Sequence, residues 1–329
     1  MLKESIPSMT RNGGLIPRKG FLYVVLAAIM WAVSGSSGKF LFHQGVTVFE
    51  LVQFRLTFSV VFLFLLLLAV KPALLRISPR DLLYFAVLGV TGLGLAQFAY
   101  FLSISKINVA VAILLEYLAP VFIAIYYAFI APEKLTRMTL VAISLSVAGC
   151  YLVVGAYNVD LFALNWQGIA AGILAGAAFA WYTLYGEKGM QKYDPWTVVF
   201  YATIFAAILF NIVLPPFRSV KAYSGVEWFW LIYIVVFGSA VPFALFAMGV
   251  SLIRSTRASV TATLEPIAAA FIAFFFLGEC LEVLQILGGI LTIISVILLQ
   301  LRPEYDENTS AIIRGNNAET AARGANESP

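Results

Sequence analysis

Two glutamates lie deep inside apolar stretches of the sequence, where an ionisable side chain is costly. Glu116 and Glu265 each stand about nine residues from one end of such a stretch. In membrane-spanning helices, at 1.5 Å per residue, both would lie roughly 13–15 Å deep. A carboxylate there can bind a substrate ammonium or carry a proton, and it commonly marks a pathway. The alternative is a carboxyl group that holds two helices together, and the Leu-Glu-Pro context of Glu265 suits that role equally well.

Three cations accompany these carboxylates. Lys39 and Arg55 are expected in the same half of the membrane, within reach of Glu116, as substrate ligands or as members of a structural ion pair. Arg257, Thr261 and Glu265 are spaced by four residues and form one polar stripe, along which solutes or protons would pass. Alternatively, Arg257 extends to the membrane surface.

Aromatic and polar residues recur at helical spacing in three other stretches, which places each set on one helix face. These faces either line an amphipathic pocket or belong to the core, as membrane aromatics often do. Tyr117 directly follows Glu116 and is expected to point elsewhere on its helix. The candidate pocket residues are Trp31, Ser34, Gln97, Tyr100, Trp181, Tyr182 and Tyr185.

Prolines interrupt three of the apolar stretches. Pro120, Pro242 and Pro266 each remove one helix hydrogen bond and clash with the preceding turn. The expected kinks free backbone carbonyls that can line a cavity.

The composition is typical of a membrane protein. Of the 329 residues, 61% are hydrophobic and 12% are charged, about half the charged fraction of an ordinary soluble domain. The apolar blocks are about twenty residues long and do not alternate, which predicts helices. The modest net charge of +4 argues against a nucleic-acid partner, and the single histidine argues against a metal site. The sequence contains no phosphate-binding loop and no HExxH or GxSxG motif, so we expect neither an enzyme nor a cofactor.

Ten apolar blocks divide the chain into two halves of five. We predict a cytoplasmic N-terminal tail over 1–20, a five-helix repeat over 21–154, a second over 167–301 and a disordered cytoplasmic tail over 302–329. The predicted membrane helices are 21–42, 47–70, 80–103, 107–130, 136–154, 167–188, 196–214, 227–251, 256–277 and 282–301.

The two halves are related by an offset of 146 positions. Ten of the 53 pairs that begin with Asp81 and Glu227 are identical, among them Pro120 with Pro266. An odd number of spans per half means that the second half enters the membrane from the opposite side. The sequence therefore predicts inverted repeats with a central cavity.

Charge distribution predicts the orientation. If the N-terminus is cytoplasmic, sixteen Lys and Arg residues lie on the inner side and three on the outer side. This asymmetry predicts that both termini are cytoplasmic.

These features together resemble the drug/metabolite transporter superfamily, in particular its ten-helix EamA-type exporters. The resemblance covers about 20–301 and implies a cavity lined by helices 1, 3, 4, 6, 8 and 9. Members move amino acids, nucleosides, dyes or drugs. The residues that carry it are Trp31 in a WAxSGxxGK-like run, Phe54-Arg55, Pro120, Leu264-Glu265-Pro266, Glu133 and Glu279.

We therefore expect a secondary transporter of the inner membrane that exports small metabolites by alternating access, with amino acids or related amphipathic compounds favoured. Its expected partners are the small-molecule substrate, the lipid bilayer and, as a candidate coupling ion, the proton. A monomer or weak homodimer is expected. The alternatives are an importer or facilitator of the same fold, or a membrane receptor or binding protein without flux.

Overall fold

The computed structural model describes residues 15–130, 135–160, 164–213, 223–272, 274–275 and 281–301. The predicted features at Glu133 and Glu279, residues 1–14 and the predicted C-terminal tail over 302–329 lie outside these ranges. The first helix begins at Leu15, so the predicted boundary at residue 20 between the N-terminal tail and the first helix is wrong by about one and a half turns. Thirteen α-helices in the described part build the ten predicted segments. They are α1 (Leu15–His43), α2 (Val48–Val70), α3 (Leu82–Val87), α4 (Leu95–Lys106), α5 (Val109–Glu116), α6 (Ala119–Phe129), α7 (Arg137–Val153), α8 (Trp166–Met190), α9 (Pro195–Val213), α10 (Gly225–Val235), α11 (Val241–Ala262), α12 (Glu265–Ile272) and α13 (Val283–Leu301).

Several helices make up each membrane segment where the chain is interrupted. Segment 3 comprises α3 and α4, and segment 4 comprises α5 and α6. Segment 8 comprises α10 and the first part of α11, whose backbone is non-helical at Arg254. Segment 9 comprises the rest of α11 and α12. Eight helical stretches of the described chain are long and apolar enough to cross a membrane, and Arg137–Val153 is a shorter apolar helix. The fold is the predicted all-helical membrane fold of ten segments.

Several helices begin after a polar N-capping residue. The hydroxyl of Thr47 accepts a hydrogen bond from the backbone N–H of Glu50. The carboxylate of Glu50 in turn accepts one from the backbone N–H of Thr47. Ser224 and Glu227 form the same reciprocal cap at the start of α10. Such caps satisfy backbone N–H groups that have no partner inside the helix.

The helix breaks of segments 4 and 9 occur at equivalent positions. Tyr117 and Leu118 form a turn between α5 and α6, and Thr263 and Leu264 form one between α11 and α12, 146 positions later. In each case a proline follows in the first turn of the next helix, where its missing N–H costs nothing. The repeat detected in the sequence therefore corresponds to a repeated backbone interruption.

Two π-helical stretches mark segments 3 and 8. One covers Leu88–Gly94 and the other Val236–Ala240, and their last residues are again 146 positions apart. A π-helix widens the turn and leaves backbone groups misaligned, and it is frequent at functional sites. Pro242 lies in the first turn of α11, directly after the second stretch.

Close glycine contacts show the pseudo-symmetry between the halves. A methyl group on Gly20 would lie 2.6 Å from Ile253 Cγ2, and one on Gly168 would lie 2.6 Å from Ile107 Cγ2. Segment 1 thus packs on the end of segment 8, and segment 6 packs in the same way on the end of segment 3. Small residues permit this close approach of helices in membranes.

Because ten segments place both ends of the helical bundle on one side, we call this side the terminal face and the other the far face. On the terminal face, Lys192 Nζ donates to Asp81 Oδ2 at 2.5 Å, and this hydrogen bond raises the pKa of Lys192. On the far face, Tyr157 Oη donates to Glu282 Oε2 at 2.6 Å, which raises the pKa of Tyr157 to about 12. Both contacts join connections that are distant in the sequence.

Candidate functional site

A small cavity lies where the two broken segments meet. Its volume is about 40 Å³, enough for a few water molecules. All of the lining residues are buried except Glu116, which is half-buried. The lining residues are Trp31, Ser34, Arg55, Gln97, Tyr100, Glu116, Tyr117, Phe179, Phe243 and Glu265.

The two carboxylates of the cavity have different surroundings. Glu265, the first residue of α12, is 4% exposed and accepts a hydrogen bond of 2.6 Å from Tyr117 Oη. Glu116, the last residue of α5, lines the cavity, and its carboxylate makes no hydrogen bond with any residue that the structure describes. Of the two carboxylates, Glu116 is therefore the one whose oxygens make no hydrogen bond within the described chain.

Arg55 supplies the positive charge of the cavity and is held in place by the second half of the chain. Its Nε donates to Ser239 Oγ at 2.8 Å and its Nη2 to the carbonyl of Gly238 at 2.7 Å, both in the second π-helix. The guanidinium carbon also lies 4.7 Å from the centre of the Phe101 ring. A buried arginine needs acceptors for its N–H donors, and these hydrogen bonds supply two of them.

An aromatic cluster closes one side of the cavity. The ring of Trp31 meets Phe243 at 5.0 Å and Phe179 at 6.0 Å between centroids, edge to face in both pairs. Phe246 completes the cluster at 5.5 Å from Trp31. The cavity thus combines an apolar wall with a charged one, as expected for an amphipathic ligand.

Tyr117 was expected to point away from Glu116, and this expectation is wrong. In a continuous helix, neighbouring side chains diverge by about 100°. Here Tyr117 lies in the turn after α5, so both side chains reach the cavity. The proline-induced break is the reason.

Three of the predicted aromatic candidates lie outside the cavity. Trp181 stacks on Tyr185 at 4.7 Å and donates through Nε1 to Thr91 Oγ1 at 3.0 Å. The carbonyl of Tyr185 accepts from Tyr84. Tyr182 is buried behind Phe179 and Phe243, and its hydroxyl has no hydrogen-bond partner among the described residues.

The polar stripe predicted on segment 9 is interrupted. Thr261 donates to the carbonyl of Arg257 at 2.7 Å, and neither residue lines the cavity. The turn at Thr263 and Leu264 separates them from Glu265. Lys39 also lies outside the cavity and binds backbone carbonyls on the far face.

Sequence reasoning missed Phe179 and Phe243. Phe179 belongs to the same face of α8 as Tyr182, and Phe243 occupies the position that corresponds to Gln97 at the offset of 146. Applying the repeat to the pocket candidates themselves would have identified Phe243.

No cluster of three or more metal-ligating side chains is found in the described ranges. Cys150, the cysteine that the structure describes, is buried and free.

Both halves of the chain match the model of the EamA-like transporter family, over residues 18–155 and 166–301. The chain belongs to this family. An uncharacterized transporter of Archaeoglobus fulgidus is 32% identical over 287 residues, covering 85% of this chain and 96% of the relative. The uncharacterized inner membrane transporter YicL of Salmonella typhimurium is 28% identical, with 86% and 96% coverage.

The relatives include a protein with a named transport function. The threonine/homoserine exporter RhtA of Salmonella typhimurium is 26% identical over 223 residues, which cover 66% of this chain and 71% of that protein. A crystal structure with 18% sequence identity superimposes with a TM-score of 0.69 and covers 86% of this chain and 97% of the other, which supports the fold. This EamA-like protein is thus a multi-pass membrane transporter and not an enzyme, as predicted.

Proposed function

We propose that this EamA-like transporter exports small amphipathic metabolites, with amino acids or related amines as the favoured class, by secondary-active alternating access. The observation that carries the proposal is that Glu116, an ionisable residue in a membrane segment, lines a cavity with an aromatic wall. A carboxylate beside aromatic faces suits an ammonium group attached to an apolar side chain. Threonine and homoserine, the compounds for which the exporter RhtA is named, are small amino acids with an ammonium group.

The cavity as it stands is too small for such a substrate. About 40 Å³ holds water molecules, and nine of the ten lining residues are buried. We interpret the structure as a closed state from which the cavity widens toward one face at a time. Inverted repeats allow this by rocking of one repeat against the other.

We further propose that protons drive export. Two carboxylates and one guanidinium share the cavity, so the site carries one net negative charge when both glutamates are ionised. A proton on one carboxylate neutralises the empty site, and an incoming ammonium can take its place. Exchange of the bound proton for the substrate ammonium couples the proton flux to the substrate flux.

The orientation belongs to the same proposal. The sixteen cations predicted on the terminal face support a cytoplasmic location for that face and both termini, in an inner-membrane protein.

Counterflow in proteoliposomes tests the proposal. Vesicles are loaded with one unlabelled compound from a panel of amino acids, nucleosides and amphipathic amines, and uptake of the same labelled compound is followed. Accumulation of amino acids or amines is expected, and an outward-directed proton gradient should change its rate. Counterflow of nucleosides alone would contradict the proposed substrate class.

A further inference from the structure

Lys39 and Glu187 hold corresponding positions in the two repeats. The packing equivalence of Gly20 and Gly168 defines an offset of 148 for the first helix of each repeat, and the same offset relates Lys39 to Glu187. Lys39 lies near the end of α1 on the far face, whereas Glu187 lies near the end of α8 on the terminal face.

The side chain of Lys39 binds the end of segment 3. Its Nζ donates to the carbonyl of Ile104 at 2.6 Å and to that of Ile107 at 3.2 Å. These carbonyls belong to the last turn of α4 and to the residue after it, where a helix has unpaired acceptors and partial negative charge. A cation is the suitable partner at this position.

The carboxylate of Glu187 binds the start of segment 9. Its carboxylate accepts hydrogen bonds from the backbone N–H of Ser255 at 3.0 Å, from Ser255 Oγ and from Arg254 Nε at 3.2 Å. Among the described residues, Arg254 is the one non-glycine residue with positive φ, at 68°. An anion is the suitable partner of the free N–H groups at a helix start.

Both contacts therefore join the first helix of a repeat to the connection between its third and fourth helices. The third and fourth helices carry cavity residues, among them Gln97 and Glu116 in one repeat and Phe243 and Glu265 in the other. Both contacts are present together in this closed state.

We propose that Lys39 and Glu187 are the latches of two opposite gates: the Lys39 contact closes the cavity toward the far face and the Glu187 contact closes it toward the terminal face. The terminal-face latch also meets the other repeat, because the Arg254 guanidinium lies 5.8 Å from the centre of the Tyr127 ring. The inference rests on the proposed alternating access, in which one latch opens in each half of the cycle.

Access of an impermeant thiol reagent to the cavity tests the latches without any transported substrate. Ser34 lines the cavity and is replaced by cysteine in a variant whose native cysteines, Cys150 and Cys280, are alanine. A small membrane-impermeant methanethiosulfonate is applied to right-side-out and to inside-out vesicles. Glu187→Gln should raise the labelling rate about tenfold from one side, and Lys39→Met should raise it about tenfold from the opposite side, by loss of charge-assisted hydrogen bonds.

Neighbouring charges provide the controls. Lys188→Met and Lys106→Met remove an exposed charge beside each latch and should leave both rates unchanged. If Glu187→Gln does not insert, Ser255→Ala removes part of the same latch with a smaller change. Unchanged labelling in the latch variants, or an increase from the same side for both variants, would overturn the proposed latches. If counterflow fails but the side-specific labelling is observed, only the substrate assignment is overturned.

Discussion

Tyr117 Oη lies 2.6 Å from the carboxylate of Glu265, and this contact joins the helix break of one repeat to that of the other. The two residues are not equivalent under the offset of 146, which pairs Tyr117 with Thr263 and Ala119 with Glu265. The backbone of the cavity is thus repeated, whereas its chemistry is not.

Removal of the Tyr117 hydroxyl should lower the stability of the protein, because the hydrogen bond to Glu265 in the cavity is lost. Tyr117→Phe leaves Glu265 buried without the donor that it has now, so we expect a loss of about 1.5 kcal/mol in the free energy of unfolding. Thermal unfolding in detergent measures the change. Tyr126→Phe, on the same segment and half-buried, is the matched control and should cost little. Equal stability of the two variants would contradict a structural role for the hydrogen bond.

Arg55 and Ser239 should be energetically coupled. Arg55→Met removes a buried cation and is expected to cost about 3 kcal/mol, because the Ser239 hydroxyl and the Gly238 carbonyl on the second π-helix lose their donor. In a double-mutant cycle, Arg55→Met and Ser239→Ala should show about 1 kcal/mol of coupling. Ser59→Ala removes a different contact between α2 and segment 8, to the carbonyl of Val235, and should couple less strongly to Arg55→Met than Ser239→Ala does.

Gly288 and Gly289 are adjacent and should respond oppositely to alanine. A methyl group on Gly288 would lie 2.6 Å from Leu152 Cβ and 2.7 Å from the Gly149 carbonyl, so Gly288→Ala forces segments 5 and 10 apart and should cost about 1–3 kcal/mol. Among the described residues, nothing lies within 4 Å of the methyl position at Gly289, where alanine should stabilise the helix by up to about 1 kcal/mol. Thermal unfolding of the two variants is the comparison. A reversed order would show that α7 and α13 do not pack as described.

Tyr182→Phe should raise stability. The buried hydroxyl of Tyr182 lacks a partner in the described part of the chain, and such a group costs about 1–3 kcal/mol. Its removal should raise the free energy of unfolding by about 1 kcal/mol. Tyr84→Phe serves as the contrast, because the Tyr84 hydroxyl donates to the carbonyl of Tyr185, and it should lower stability.

The sequence predicted more of the backbone than of the site. The offset of 146 and the paired prolines anticipated where segments 4 and 9 break, and charge in an apolar run identified Glu116 and Glu265 as unusual. The orientation of Tyr117 was not predictable from helical periodicity, because the turn that redirects it exists only after the helix has broken. Glu187 was overlooked because its equivalence to Lys39 needs an offset of 148, which only the packing of Gly20 and Gly168 makes evident.

Counterflow with Glu116→Gln tests most directly whether the central cavity binds the ammonium group of the substrate. Wild-type protein, Glu116→Gln and the control Glu227→Gln are compared in proteoliposomes with threonine and homoserine at equal protein insertion. Glu227 is half-buried outside the cavity, and glutamine keeps the side-chain oxygen that caps α10. We expect Glu116→Gln to lose at least about tenfold in counterflow rate, since one charged hydrogen bond to the substrate is removed, and Glu227→Gln to resemble the wild type. Counterflow by Glu116→Gln at the wild-type rate would show that the cavity carboxylate does not bind the substrate.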